Sequence, residues 1–237
     1  MRKNIILLLF VTLFVLSACS SSSTSTNSEN QETIESESEN NSNENNSIVL
    51  ESGECLTELP ENITSNTIEN YQLAQSGDFF APIREFEQQT DRGKFTCSGY
   101  SLDFNQDQLI DYALFLVKPD RSSFKFILLI NQGNQNFSTL YTKDYPVVNE
   151  PDQGIIYTSM GYKPVGELGI LRREYSPIKT DSPEGKIFAN SSAIELWDAI
   201  KEEGKKVPMD LDLSTLAYCS EVLYWNQEEL ATVTVCD

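Results

Sequence analysis

The chain has no histidine among its 237 residues. That excludes Ser-His-Asp and Cys-His catalysis and every metal site that needs an imidazole ligand. Positive charge is also scarce: 17 lysines and arginines stand against 36 aspartates and glutamates, for a net charge of −19. A chain this acidic does not bind nucleic acid or anionic head groups through charge, which leaves cationic partners and divalent ions. The eleven glycines include neither a G-x-x-x-x-G-K-[ST] nor a G-x-G-x-x-G spacing, so no phosphate loop is implied. No G-x-S-x-G nucleophile elbow occurs. Carboxylate-pair hydrolysis and Ser-Lys chemistry survive these exclusions.

Long hydrophobic runs are nearly absent as well. The exception is IILLLFVTLFVL, which follows Arg2 and Lys3 and ends at Leu16-Ser17-Ala18-Cys19. A positive start, a short apolar core and small residues at the end make an export signal. The run is short for a membrane span. The boundary resembles the bacterial lipobox, L-[AS]-[AG]-C. That resemblance implies a diacylglycerol on the Cys19 thiol, cleavage after residue 18 and acylation of the new amino end. Without cleavage the same segment would be a membrane anchor, again with the domain outside the cytoplasm. Two or three acyl chains hold a protein firmly, whereas one holds it marginally. Loss of Met1–Ala18 removes two basic residues and no acidic ones, leaving a net charge of −21. Ser20 after the lipid-bearing cysteine suits outer-membrane sorting in a cell that has an outer membrane.

Residues 19–47 follow as a tether of Ser, Thr, Asn, Gln and Glu, with Ile34 as the one aliphatic side chain. Such a composition buries no core and reads as disordered. As a flexible coil it spans about 30 Å. From residue 48 to 237 the composition is that of one globular domain.

That domain is organised around GYSLDFNQDQLIDYALFLV, Gly99–Val117. Oxygen-bearing side chains stand at Asp103, Asn105, Asp107 and Asp111, just before an apolar strand. Positions one, three, five and nine of a tight loop can surround one hard cation, with the backbone carbonyl of Leu109 at position seven. An EF-hand needs a glutamate at position twelve and a following helix. Here that position is Leu114, and YALFLV reads as a strand. The alternative is an Asx-rich turn whose side chains bind their own backbone.

The loop resembles the calcium loops of FG-GAP (VCBS-type) repeats, D-x-[DN]-x-[DN]-G-x-x-D, which join two strands of a hairpin in integrin α-chain propellers. The resemblance covers Leu102–Leu116 and occurs once. It implies calcium on Asp103, Asn105, Asp107, Leu109 and Asp111. The chain departs from the pattern at position six, where Gln108 replaces glycine. A left-handed backbone there costs glutamine about 1 kcal/mol or more. Through LDFNQDQLIDYALFLV, FKFILLI and SEVLYWNQEEL, the domain also resembles bacterial lipoproteins of uncharacterised activity with one such loop in a β-meander and an aromatic terminal hairpin.

The fold class expected is mainly β (α+β): an antiparallel meander sheet with one or two short helices. Strands are predicted over 94–102, 112–117, 124–130, 137–141, 154–162, 168–175, 216–225 and 230–235, with turns at Pro119–Ser122 and Asn131–Asn136. Gly161, Gly166 and Gly169 mark turns or bulges. An apolar cluster at Phe79–Phe86 is broken by Pro82. Helices are predicted over 62–75, with Ile63, Ile68 and Tyr71 or Leu73 facing inward, and from Ser192. There a capping-box pattern, Ser192 to Glu195, precedes Ile194, Trp197 and Ile200, and Gly204 stops the helix. Trp197 reads as a core anchor. Tyr224 and Trp225 read as packing residues, and they are also the one hint of sugar stacking.

Four cysteines remain in an exported domain, which implies two disulfides and allows three pairings. In the last hairpin, an even-length loop centred between Gln227 and Glu228 pairs Asn226 with Glu229. Seven steps back it pairs Cys219 with Cys236 at a non-hydrogen-bonded site, where α-carbons lie about 4.5 Å apart. The pairing chosen is therefore Cys219–Cys236 and Cys55–Cys97. A three-residue loop would shift the register and remove the match.

The function expected is a lipid-anchored, extracytoplasmic protein of the bacterial cell envelope, non-catalytic and calcium-stabilised, that binds or spaces a partner. Its contacts are the membrane through its lipid and an envelope protein or a glycan, with no nucleic acid. The alternatives are a carboxylate-dependent hydrolase acting on glycans, which needs two acidic side chains about 5–9 Å apart in a cleft, and a subunit of an adhesion or assembly complex, which needs an exposed apolar patch.

Overall fold

Among the described residues of the computed structural model, nine strands form two antiparallel sheets, with two short helices. The structure describes residues 54–89, 94–134, 136–164, 178–179, 181–199, 208–210, 212–213 and 219–236. The leader, Cys19, the tether, the expected strand at 168–175, and Gly166, Gly169, Ile200 and Gly204 lie outside these residues. The described residues belong to one compact unit, Ser47–Asp237.

The first sheet contains β1 (Gln72–Leu73), β2 (Gly99–Leu102), β3 (Asp111–Val117), β4 (Phe124–Asn131) and β5 (Phe137–Tyr145). Strands β2 to β5 form the expected meander. β1 and β2 share the other edge of β3, with Leu73 opposite Leu116 and Gly99 opposite Leu114. Of the expected strand from Lys94, only Gly99–Leu102 pairs. The Cys55–Leu56 segment continues this edge, its Leu56 N–H donating to the Gly99 carbonyl at 2.8 Å. A β-carbon at Gly99 would stand 2.7 Å from Leu114 Cδ2 and 3.0 Å from the Ala113 carbonyl oxygen, so a larger residue there would push on β3.

The second sheet, in order, is β6 (Thr158–Pro164), β7 (Ser192–Asp198), β8 (Cys219–Trp225) and β9 (Leu230–Cys236). Its last hairpin has the expected register, Cys219 opposite Cys236 and Trp225 opposite Leu230. The turn is fixed by the Asn226 side chain, whose Oδ1 accepts from the Glu228 and Glu229 N–H groups.

The two sheets share one core. Phe115, Phe126 and Leu128 of the first meet Met160, Ile194, Leu196 and Leu223 of the second, together with Phe79, Phe80 and Ile83. The outer face of the first sheet is covered too, with Leu114, Leu116, Ile127 and Leu129 lying under Ile63 and Ile68. Every residue of β3 is therefore buried, and its sequence runs apolar without alternation. On the second sheet's outer face, Phe188 of α2 (Pro183–Ala189) packs with Ala193, Val222, Tyr224 and Val235.

Both predicted helices are corrected. Residues 62–75 form turns and then β1, because Glu69 and Asn70 adopt left-handed φ of 54° and 62°, which no α-helix contains. Ser192–Asp198 is a strand, because it pairs with β6 along its whole length and with β8 over Ala193–Trp197, with Ile194 and Leu196 in the shared core and Ala193 in the opposite cluster. The helix lies just upstream, where the Ser182 side chain accepts from Gly185 N–H at 2.9 Å and Pro183 opens the first turn.

At Phe79–Phe86, Pro82 breaks nothing. It sits in the first turn of α1 (Ala81–Gln89), where its missing N–H has no intrahelical partner to lose. Gly161 lies inside β6, opposite Glu195, and is no turn. The turn before β6 belongs to Gly154, at φ +87° and packed so tightly on the Phe79 backbone that a β-carbon cannot fit.

Candidate functional site

The loop between β2 and β3 carries the sequence-predicted ligands. Asp103 Oδ1 accepts from Asp107 N–H at 3.0 Å, and its Oδ2 accepts from Gln108 N–H at 3.1 Å. Asn105 Oδ1 also faces the Asp107 N–H, at 3.3 Å, and Asn105 Nδ2 donates to Asp107 Oδ2 at 2.8 Å. Asp107 Oδ1 accepts from Leu109 N–H at 2.8 Å. The oxygens of Asp103, Asn105 and Asp107 are thus gathered on one short stretch of backbone. The stretch turns this sharply because Gln106 and Gln108 adopt φ of +62° and +69°. Gln106 through Leu109 are exposed.

Asp111 stands apart from that group. It is wholly buried, and its two oxygens bind backbone, Oδ2 accepting from Phe104 N–H at 2.8 Å and Oδ1 from Asn131 N–H at 2.9 Å. Burial pushes its carboxyl up to about 6, against the lowering effect of these two bonds. Asp111 therefore ties the loop to the end of β4. Its role as a strut depends on a partner twenty residues away, which the loop spacing does not reveal. Among the described residues, no three acidic or thiol side chains are placed to enclose a metal. The loop brings together two carboxylates and an amide, and the third carboxylate faces the backbone.

Both disulfides have the chosen pairing. Cys55–Cys97 and Cys219–Cys236 are bonded, with α-carbons 5.4 and 4.0 Å apart. The shorter separation is that of a cross-strand, non-hydrogen-bonded pair.

A second polar group joins the two sheets and was not singled out in the sequence. Tyr141, Lys143 and Tyr145 occupy alternate positions of β5 and so share one face. Lys143 Nζ lies 3.3 Å from Asp198 Oδ2 and 3.0 Å from Glu221 Oε2. Tyr141 donates to Glu221 Oε1 at 2.8 Å, and Thr158 donates to Asp198 Oδ1 at 2.6 Å. Burial works against the Lys143 ammonium, but the two carboxylates outweigh it and hold its pKa above the ordinary lysine value. Burial, aided by the bond to Glu221, pushes the Tyr141 phenol up. Both carboxylates are committed within this group, Asp198 to Lys143 and Thr158 and Glu221 to Lys143 and Tyr141. The group acts as an ionic clamp between sheets.

A polar hollow of about 240 Å³ lies beside the Cys55–Cys97 bridge, lined by residues that include Thr57, Gln75, Glu87, Lys94 and Thr96. It contains one carboxylate, and Glu87 Oε2 is already bound by the Phe95 and Thr96 N–H groups at 2.7 Å each. Ser122 and Lys125 have S-x-x-K spacing but build no nucleophile. The Ser122 hydroxyl donates to Asp120 at 2.6 Å, and Lys125 pairs with Glu69 at 2.6 Å.

Trp197 and Tyr224 are core residues, 5% and 3% exposed, and Trp225 packs against the shared core. Among the described residues, the exposed large hydrophobics are Leu109 and Met209, too little for an apolar docking patch. Comparison with protein-family models, curated proteins and solved structures gives no match for this chain.

Proposed function

We propose that this protein is a lipid-anchored, extracytoplasmic module of the bacterial cell envelope, and that its β domain is stiffened by one calcium ion at the Asp103–Asp111 loop. On this reading it is a non-catalytic binding or structural unit, held off the membrane by the tether that follows lipidated Cys19. The observation that carries the calcium reading is the convergence of Asp103 and Asn105 on the Asp107 and Gln108 N–H groups, with Asp107 turned onto the Leu109 N–H beside them, in a loop with left-handed residues at positions four and six. Anionic and amide oxygens held this close favour a hard divalent cation, which relieves their mutual repulsion. Asp103, Asn105, Asp107 and the Leu109 carbonyl would hold the ion. Asp111, facing the backbone as it does, would either turn to join them or brace the loop from behind. The export signal and the lipobox-like Leu16–Cys19 support the location.

Calorimetric titration of the purified mature protein with calcium tests the site. The reading requires one ion per chain with a dissociation constant of roughly 10⁻⁴–10⁻³ M, the range of extracellular modules. No binding heat up to 20 mM calcium, which is about twenty times the weaker limit, would overturn it.

A further inference from the structure

The residue between the first two oxygen ligands is Phe104. Its backbone belongs to the loop and its ring belongs to the core. It is 1% exposed, its N–H is held by Asp111, and its ring meets Trp225 at the end of β8, with centroids 6.5 Å apart at 69°. Trp225 is opposite Leu230 at the closed end of the β8–β9 hairpin, whose open end is pinned by Cys219–Cys236. A surface loop of the first sheet therefore reaches through the shared core to the terminal hairpin of the second.

From this geometry we infer that Phe104 acts as a latch between the two sheets, so that order in the Asp103–Asp111 loop and order in the β8–β9 hairpin are thermodynamically coupled. Phe104 cannot leave the core while Asp103 and Asn105 are held in place on either side of it. Conversely, a hairpin that swings away from Phe104 removes the ring's partner and loosens the loop. Any agent that orders the loop then suppresses local opening of the hairpin, and by linkage the closed hairpin strengthens binding at the loop by the same factor. As applied to calcium, the inference rests on the ion reading above. The latch itself rests on Phe104, Asp111 and Trp225.

Hydrogen exchange of the full mature protein, read by mass spectrometry over peptides from β8–β9 and from β4, tests the inference. In calcium-free buffer, Phe104→Leu should speed exchange across Cys219–Cys236 by at least fivefold relative to β4. Leu116→Ala is the control, a core change in β3 on the opposite face of the first sheet, in the cluster of Ile63 and Ile68 that holds no residue of β8 or β9, and it should show no such preference for the hairpin. Calcium at ten times its dissociation constant should slow hairpin exchange in the wild type by about tenfold, because opening then requires release of the ion. Equal effects of the two substitutions on the hairpin would overturn the latch. Calcium protection confined to the loop, β2 and β3 would overturn the coupling while leaving calcium binding intact. An absence of calcium protection anywhere would overturn the ion reading and its extension to the hairpin, and the calcium-free comparison would still decide the latch.

Discussion

Substitution of Gln108 by glycine separates the cost of shaping the loop from the cost of filling it. Gln108 is exposed, so removal of its side chain forfeits no core contact. Its φ of +69° is left-handed. An L-residue with a β-carbon sits there at a cost of about 1–2 kcal/mol. Glycine relieves that cost but gains freedom in the unfolded chain, which takes back about 0.4–1 kcal/mol. The net expectation for Gln108→Gly is a gain of about 0.5–1 kcal/mol. In a domain of this size that is a rise in melting temperature of about 1–4 °C. The Gln108 N–H donates to Asp103 Oδ2, so the left-handed turn is held by the loop's own bonding, and its strain is assigned to folding and not to binding. Calcium affinity should therefore stay within about twofold of the wild type. Thermal and urea melts of both proteins in chelator, followed by calcium titration of each, measure the two quantities. An unchanged or lowered melting temperature, combined with tenfold tighter calcium binding, would refute the reasoning, because it would mean that the ion itself imposes the left-handed turn.

Three further outcomes are expected. Mass spectrometry of the native protein should find an acylated N-terminal Cys19 peptide, and an unmodified full-length chain would sink the envelope assignment. Non-reducing peptide maps should link Cys55 to Cys97 and Cys219 to Cys236. Removal of the second bridge, which closes a loop of about 18 residues, should cost about 3 kcal/mol, and a Cys97 link to either C-terminal cysteine would contradict the hairpin register. Asp111, with its folded pKa raised to about 6, should contribute stability in chelator that is fully present below its unfolded value of about 4 and is lost as pH rises through 6. Relative to Asp111→Asn, the wild type should weaken by about 1–2 kcal/mol across that window, after allowance for solvent screening, and parallel pH curves for the two proteins would show that Asp111 carries no such penalty.

The β2–β5 meander was legible because β3 and β4 are long apolar runs bounded by turn residues, whereas β1 was hidden in a stretch read as helix. Arg121 and Asn134 confirm those turns with left-handed φ of 56° and 52°. The terminal hairpin was legible down to its register, since symmetry about the Gln227–Glu228 centre fixes every pair. The division into two sheets was not legible. β3 and β4 are covered on both faces, so their sequences do not say which neighbour lies on which side. The misread helix at Ser192 shows the ambiguity of short apolar runs. Ile194 and Trp197 fit a helical spacing, while Ile194, Leu196 and Asp198 fit a strand just as well, and only packing against β6 and β8 decides. The Lys143 clamp left half a signal, the alternation of Tyr141, Lys143 and Tyr145, but its carboxylates come from the other sheet, which no local pattern locates. At the loop, spacing grouped Asp103, Asn105, Asp107 and Asp111; the fold gathers the first three, while Asp111 turns inward to the Phe104 and Asn131 backbone.

The central claim is that the loop holds a calcium ion in the folded state, and a pair of melting curves tests it most directly. Wild type and Asp107→Ala are heated in chelator and again in 10 mM calcium. At about ten times a millimolar dissociation constant, native-state binding contributes about 1.4 kcal/mol. The wild-type melting temperature should rise by about 3–6 °C, and that of Asp107→Ala should not move. If both proteins respond alike, or neither does, the loop is an Asx-rich turn bound to its own backbone, and calcium has no part in this fold.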